Sequence, residues 1–224
     1  MSHTSSKQAP HQQAKTIQQY YQWQSKIYDL SRWSFLFGRK EIIKHIPFAK
    51  RDRLQILEVG CGTGFNIKHL AKRFTQSQIT GVDISPDMLQ KARRNNSAHS
   101  NRVNFCEAPY GQAGVIFPGQ MDLVLFSYAL TMINPQWAEL IQQAKEDLKP
   151  GGYMAVVDFH DSKHPWFKHH MGNHHVRMDG HLADFLAHHF VPLKLQIKSA
   201  YGGIWQYMIY LGQKPNTTHR GPVY

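Results

Sequence analysis

The segment ILEVGCGTGFN, residues 56–66, most constrains what this chain can fold into. A short apolar run ends in three glycines at alternate positions, and a helical pattern of apolar residues begins directly after them. A strand that turns through glycines into a helix lets the backbone pass close to a ligand, because no Cβ stands in the way. The segment therefore predicts the first strand, the ligand loop and the first crossover helix of an α/β sheet.

The pattern downstream alternates between strands and helices. It predicts strands at residues 54–59, 78–83, 103–106, 121–126 and 153–159, and helices at residues 65–74, 86–95 and 135–148. Two alternating runs on either side of YGG predict an antiparallel hairpin at the end of the chain. This order predicts one α/β domain with a Rossmann-like doubly wound sheet of seven strands, mostly parallel with a C-terminal antiparallel hairpin.

The flanks predict how the domain is bounded. Residues 1–10 and 214–224 are polar and contain proline, which indicates flexible tails around a domain at 11–213. Helical spacing of apolar and aromatic residues before the first strand predicts two N-terminal helices, a helical cap at residues 11–50. Residues 161–180 hold no steady period, so we expect an insertion there. An 18-residue apolar run or signal peptide is not seen, which favours a cytoplasmic protein.

The glycine loop lacks the features of a phosphate site. The third position of a dinucleotide fingerprint falls on Phe65, and no lysine follows the glycines as a P-loop requires. Glu58, two residues before Gly60, would repel a pyrophosphate but attract an ammonium or a sulfonium. Asp83 ends the next strand, where a carboxylate can accept both hydroxyl hydrogens of a ribose. An adenosine with a positively charged tail suits both carboxylates.

Five blocks in order resemble the class I S-adenosylmethionine-dependent methyltransferases: ILEVGCGTGFN, ITGVDISPDML, NFCEAP, MDLVLFSYALTMI and LKPGGYMAVVDF. The resemblance covers residues 54–160. It implies S-adenosylmethionine as cofactor and S-adenosylhomocysteine as product. The position after the fourth strand does not read [DN]-P-P-[YF], as it does in enzymes that methylate carboxamides. By this resemblance, the cofactor site would comprise Glu58, Gly60, Cys61, Gly62, Thr63, Gly64, Asp83, Ile84, Met88, Glu107, Ala108, Phe126 and Ser127.

The flanking blocks resemble a narrower family, the diacylglycerylhomoserine N-methyltransferases of bacterial betaine-lipid synthesis. These blocks are YQWQSKIYDLSRWSFLFGR, FSYALTMI, VVDFHD and GGIWQYMIYLGQKP. The resemblance implies that the amine of a homoserine-headed lipid is methylated three times, on the inner membrane surface, beside a companion 3-amino-3-carboxypropyl transferase. The alternatives are a methyltransferase of a soluble small molecule or quinone, and a catalytically idle binding protein. An intact Glu58, glycine loop and Asp83 speak against the last.

Methyl transfer is an in-line displacement that mainly needs alignment and exclusion of water. A free α-amine has a pKa of about 7.7 to 8, so a strong base is not required. Tyr128, His160 and Asp161 are candidates to take the proton, because they follow the fourth and fifth strands at the active edge. Tyr28 could close over the cofactor.

Composition bears on partners. The formal net charge of +11 favours an anionic surface such as acidic lipid, nucleic acid or an acidic protein, although it could serve solubility alone. No added nucleic-acid module is evident, so we expect a membrane surface, contacted by the segment around Trp166 and by the leading helix. The histidines at positions 169, 170, 174, 175 and 181 have no carboxylate or cysteine partner at ligand spacing, so no metal site is expected.

Overall fold

The structure, a computed structural model, describes residues 36–111 and 114–216. Seven strands form one sheet in the order β3-β2-β1-β4-β5-β7-β6. Strands β1 to β5 pair in parallel, and β5-β7 and β7-β6 pair antiparallel. The strands are β1 (Gln55–Val59), β2 (Gln78–Asp83), β3 (Val103–Glu107), β4 (Met121–Ser127), β5 (Leu148–Phe159), β6 (Val191–Ala200) and β7 (Trp205–Gln213).

Six α-helices accompany this sheet in the described residues. They are α1 (Arg39–His45), α2 (Phe65–Arg73), α3 (Pro86–Asn95), α4 (Trp137–Asp147), α5 (Pro165–Asn173) and α6 (His181–His189). Helix α3 begins where the sequence signals it, since Ser85 caps it and Pro86 occupies its first position. Helices α4 and α6 pack their apolar sides on β5, β6 and β7, where Phe126, Leu186 and Tyr210 lie in one buried cluster.

The predicted fold class is confirmed, and most boundaries differ by a residue or two. Helix α6 was missed, because three of its nine residues are histidine, which weakens the apolar period in HLADFLAHH. The segment at 161–180, expected to be an insertion, contains helix α5. Of the predicted N-terminal helices, only α1 falls in the described residues. The proposed tail at 1–10, Tyr28 and most of the proposed tail at 214–224 lie outside them.

The strand order creates the place for a ligand. Strand β1 pairs with β2 on one side and with β4 on the other. Successive strands are therefore added in one direction from β1 to β3, and on the opposite side of β1 from β4 onward. In open parallel sheets, ligands bind outside the carboxyl ends of the strands at such a reversal.

Among the described residues, no helix is long and apolar enough to cross a membrane.

Candidate active site

The glycine loop at residues 60–64 lies over the carboxyl end of β1. The backbone N–H groups of Gly60 and Cys61 donate to the carbonyl of Val82, at 2.8 and 3.1 Å, which fixes the loop to β2. Gly64 adopts a φ of +72°, and a Cβ there would sit 2.5 Å from Nδ2 of Asn96. Gly62 adopts a φ of +51° and would meet nothing within 4 Å. The loop is therefore closely packed on the helix side, and at Gly62 it borders open space.

Glu58 is a buried carboxylate beneath this loop. Its side chain is 1% exposed, and Oε1 accepts a 2.6 Å hydrogen bond from Nδ2 of Asn66. Its other oxygen, Oε2, has no hydrogen-bond partner of good geometry among the described residues. Burial raises the pKa of Glu58 to about 8, although Asn66, Arg39 and the backbone N–H of Ile67 act to lower it. A buried carboxylate with an open oxygen suits a ligand that brings a positively charged donor.

Arg39 and Asn66 form a polar series with Glu58 that the sequence analysis missed. Nε of Arg39 donates to Oδ1 of Asn66 at 3.2 Å, and the guanidinium lies 4.0 Å from the ring centre of Phe65. Burial lowers the pKa of Arg39, and the nearby Glu58 opposes that shift. A signal was present for Asn66, since a polar residue faces the sheet in the first turn of α2. Arg39 carried none, because it precedes the glycine loop by more than twenty positions.

Asp83 ends β2 beside the loop. Its Oδ2 accepts the backbone N–H of Gly62 at 2.8 Å, and its Oδ1 accepts that of Ser85 at 2.9 Å. Burial raises the pKa of Asp83 despite these bonds. The backbone N–H of Ile84 also bonds to this carboxylate, so three of its four lone pairs have donors and one remains for a ligand hydroxyl. The arrangement fits the predicted contact with a ribose.

The residues predicted around the adenine gather at the ends of β2 and β3. Glu107 lies opposite Asp83 in the parallel register, and the backbone N–H of Ala108 donates to the Asp83 carbonyl at 3.2 Å. Ile84 directly follows Asp83, and Met88 lies on the buried side of α3. The structure thus brings these four residues together with Asp83.

Three other residues of the predicted cofactor site have side-chain or backbone atoms that already contact other parts of the protein. The side chain of Cys61 packs against Gly81, where a Cβ would lie 2.9 Å from its sulfur, and burial raises the pKa of the thiol. Phe126 is fully buried and packs edge-on against Tyr110. The carbonyl of Thr63 accepts Nδ2 of Asn95 at 3.0 Å. Cys61 and Phe126 therefore have only their backbone atoms available to a ligand.

The acceptor edge begins where β4 ends. Ser127 has a buried hydroxyl that finds no partner among the described residues. Tyr128 adopts a φ of +54°, and its hydroxyl donates to the carbonyl of Phe37 at 2.9 Å. Burial raises the pKa of the Tyr128 phenol. The geometry gives this hydroxyl an anchoring contact to the segment before α1, and its predicted part in proton transfer stays a prediction.

The other candidate proton acceptors follow β5. His160 is half-buried, its ring lies 3.2 Å from where a Cβ of Gly180 would be, and its Nδ1 has no partner in the described residues. Burial lowers the pKa of His160, which keeps the ring neutral near pH 7. Asp161 forms an ion pair with Lys168. Both therefore stay candidates, His160 with a buried unpaired ring nitrogen and Asp161 with a partly exposed carboxylate that pairs with Lys168.

The histidine-rich segment does not assemble a metal centre in the described residues. No group of three or more His, Cys, Asp or Glu side chains there could hold a metal ion. His170 and His174 contact each other with ring centres 5.0 Å apart, and the imidazole of His181 contacts the carboxylate of Asp179. These histidines therefore contact near neighbours in sequence, His170 and His174 at the end of α5 and His181 at the start of α6.

Comparison with known proteins identifies the fold of this chain. Residues 56–152 match a family model described as a methyltransferase domain. The 1,6-didemethyltoxoflavin-N1-methyltransferase of Burkholderia thailandensis, solved with S-adenosylhomocysteine, aligns with a TM-score of 0.66 over 95% of this chain and 93% of that one, at 17% identity. The chain has the class I methyltransferase fold. This confirms the fold that the sequence motifs predicted.

Two further matches, one to a solved structure and one to a curated sequence, are named for different acceptors. A phosphoethanolamine N-methyltransferase of Haemonchus contortus, solved with S-adenosyl-L-methionine, aligns with a TM-score of 0.66 over 80% of this chain and 52% of that one, at 15% identity. The trans-aconitate 2-methyltransferase of Rhodopseudomonas palustris is 32% identical over 117 residues, which is 52% of this chain and 42% of that protein. The chain spans less than half the length of that curated relative.

Proposed function

We propose that this protein transfers a methyl group from S-adenosylmethionine to a small-molecule acceptor. The observation that carries the proposal is a pair of carboxylates at neighbouring strand ends, the buried Glu58 with one unpaired oxygen and the part-buried Asp83 with both oxygens on backbone N–H groups. A ligand with a ribose at one end and a cation at the other satisfies both. The matched methyltransferase domain and the ligands of the structural neighbours support this choice.

The residues of the chain divide the work along the sheet. Glu58, held by Asn66, faces the amino group of the methionine portion, and Asp83 holds the ribose. Bound S-adenosylmethionine supplies an electrophilic methyl on its sulfonium. The protein then orients the acceptor from the loop after β4 and keeps water out, which is where most of the rate gain in such a displacement arises. A neutral amine or an ionised carboxylate is already nucleophilic, so proton removal is a minor demand.

The acceptor we favour is soluble. The curated relative named above is a trans-aconitate methyltransferase and the first structural neighbour is an N1-methyltransferase, so the fold serves both acid and nitrogen acceptors. The acceptor edge of this chain offers the hydroxyl of Ser127 and the neutral ring of His160 as polar contacts. Both groups can hydrogen-bond either kind of acceptor.

A lipid amine is the second candidate, and the surface near α5 favours it. Trp166, at the start of α5, is 61% exposed, and Lys163 lies exposed just before it. Exposed tryptophan beside lysine suits the interface of an anionic membrane. Under this reading the acceptor is the amine of a homoserine-headed lipid, supplied by a companion 3-amino-3-carboxypropyl transferase, and the protein acts on the inner membrane surface.

Labelled S-adenosylmethionine distinguishes these readings in one assay. The protein is incubated with soluble acids and amines, or with vesicles containing a homoserine-headed lipid, and the label is followed into aqueous and organic phases. We expect label in soluble product, and none with Asp83→Ala. Label found only in the organic phase would replace the soluble acceptor with the lipid. No transfer to any acceptor, with cofactor binding intact, would contradict the enzymatic proposal.

A further inference from the structure

Asp158 is a buried carboxylate that the proposed chemistry leaves unexplained. It lies near the carboxyl end of β5 in the apolar run AVVDF and is 0% exposed. Burying an ionised carboxylate is costly unless hydrogen bonds satisfy it. Its hydrogen-bond partners therefore indicate what the carboxylate does.

Four of the five hydrogen bonds that Asp158 accepts come from one loop, residues 129–131, whose last two residues begin the 3₁₀ helix Leu130–Met132. Its Oδ2 accepts the backbone N–H groups of Ala129, Leu130 and Thr131, at 3.1, 2.9 and 3.3 Å. Its Oδ1 accepts the Thr131 hydroxyl and the backbone N–H of Phe159. Consecutive N–H groups that converge on one oxygen form an anion-binding nest. An ionised Asp158 thus fixes the backbone of this loop.

The loop lies beside the glycine loop of the cofactor site. The Cβ of Ala129 is 3.0 Å from where a Cβ of Gly60 would be. The residue before it, Tyr128, has a φ of +54°, a conformation that L-residues rarely adopt. The backbone N–H of Tyr128 donates to the Val157 carbonyl at 2.8 Å, which ties the loop to β5 from its other end. The hydrogen bonds from the backbone N–H groups of this loop to Asp158 stabilise this unusual backbone conformation.

We propose that Asp158 is a positioning residue for methyl transfer, which holds loop 128–131 where the acceptor must meet the methyl group. The inference rests on the function proposed above. Asp158 does not reach the reacting atoms, because its carboxylate is buried and occupied by five donors. It acts through the loop, and a misplacement of about 1 Å in such a loop can cost about 100-fold in rate.

Asp147 provides a matched control within the same fold. It is also 0% exposed, and it accepts the hydroxyl of Tyr110 at 2.8 Å and the amide of Gln143 at 2.9 Å. It ends α4 directly before β5 begins, so it lies at the edge of the sheet opposite the carboxyl ends. Asp147→Asn therefore disturbs a buried carboxylate without disturbing the acceptor loop.

The test compares Asp158→Asn with Asp147→Asn in the full chain by three measurements. These are thermal unfolding, calorimetric affinity for S-adenosylhomocysteine, and kcat with the acceptor found in the labelling assay. We expect both variants to lose stability, and both to bind S-adenosylhomocysteine within about threefold of wild type, since neither carboxylate bonds to a residue predicted to contact the cofactor. Only Asp158→Asn should lose kcat, by about 100-fold. Thr131→Val should lower kcat in the same sense, and Thr131→Ser, which keeps the hydroxyl, should restore most of it.

An equal fall of kcat in the two aspartate variants would overturn the proposal, and so would a parallel loss of affinity for S-adenosylhomocysteine. If Asp158→Asn does not fold, the Thr131 pair decides in its place. Amide hydrogen exchange keeps the proposal separate from the enzymatic one, because it needs no acceptor. Asp158→Asn, or Thr131→Val, should speed exchange at residues 129–131 and leave residues 60–64 protected. Unchanged exchange at residues 129–131 would contradict it even in a protein that transfers no methyl group.

Discussion

The cofactor side and the acceptor side of the sheet edge are built in different ways. On the cofactor side, the buried Glu58 bonds to a residue 8 positions away, and the part-buried Asp83 bonds to one 21 positions away. On the acceptor side, Tyr128 and Asp158 depend on contacts across 91 and up to 29 residues of chain. The first arrangement specifies one ligand, whereas the second holds a loop that can vary in what it accepts. Substitutions on the cofactor side should therefore lower the affinity for S-adenosylhomocysteine, and substitutions on the acceptor side should lower kcat.

The largest expected effect is on the cofactor side. Asp83→Ala removes the acceptor for ribose hydroxyls and the bonds to Gly62 and Ser85. Two hydrogen bonds to a charged group, at about 1.5 kcal/mol or more each, predict that affinity for S-adenosylhomocysteine falls by at least about 100-fold. Calorimetry measures this. Asp87→Ala, an exposed carboxylate in α3, serves as control and should bind normally.

The pH dependence of binding comes next. The pKa of Glu58 is raised from an ordinary value of 4.5 to about 8, chiefly by burial, so at pH 7 the free protein holds this group mostly protonated. Binding an ammonium requires the ionised form, and affinity should fall about threefold as pH drops from 8 to 7, because the ionised fraction of Glu58 falls about fivefold while the ammonium fraction of the ligand rises about twofold. Above about pH 8 the α-amino group of the ligand loses its own proton, so affinity peaks there. Glu58→Gln should bind weakly and show no such rise between pH 7 and 8.

The same shift has a consequence for stability without ligand. A carboxyl whose folded pKa is raised binds more protons in the folded state than in the unfolded state, so its contribution to stability falls as pH rises from 4.5 to about 8. Glu58→Gln should therefore unfold at a higher temperature than wild type at pH 8, with a smaller difference at pH 5. If the difference in unfolding temperature between Glu58→Gln and wild type were the same at pH 5 and pH 8, the raised pKa of Glu58 would be contradicted.

On the acceptor side, Tyr128→Phe should change turnover more than binding. It removes the hydrogen bond to the Phe37 carbonyl, worth about 1 kcal/mol of stability, and loosens the loop. We expect kcat to fall by up to about tenfold with affinity for S-adenosylhomocysteine unchanged. A fall of 1,000-fold or a lost limb in the pH–rate profile would instead support the earlier prediction that Tyr128 takes a proton.

The smallest expected effect is at the surface. Trp166→Ala removes an exposed side chain, so stability and activity on a soluble acceptor should stay within experimental error. Binding to anionic vesicles, measured by sedimentation, separates the two acceptor readings. Vesicle binding that is lost in Trp166→Ala, together with lost transfer to lipid, would support the lipid amine.

The contrast between the two sides also explains what could be predicted from sequence. Local patterns predicted the strands, the crossover helices and the site formed by Glu58, the glycine loop and Asp83. Each of these elements spans a few residues with its own period or turn. The roles of Arg39 and Asp158 do not, because their partners lie far away in sequence. A carboxylate within the apolar run AVVDF was a visible anomaly, but only the folded loop shows which donors it serves. Helix α6 was missed because histidine weakened its apolar period.

The central claim is that the glycine loop and Glu58 select a cationic adenosine ligand and reject a phosphate. Calorimetric titration of the wild-type protein at pH 8 with S-adenosylmethionine, and separately with ATP and with NAD, tests it directly. We predict saturable binding of S-adenosylmethionine with one ligand per chain, and no measurable heat from the two phosphate ligands at the same concentrations. Binding of ATP or NAD that equals or exceeds that of S-adenosylmethionine would contradict the account.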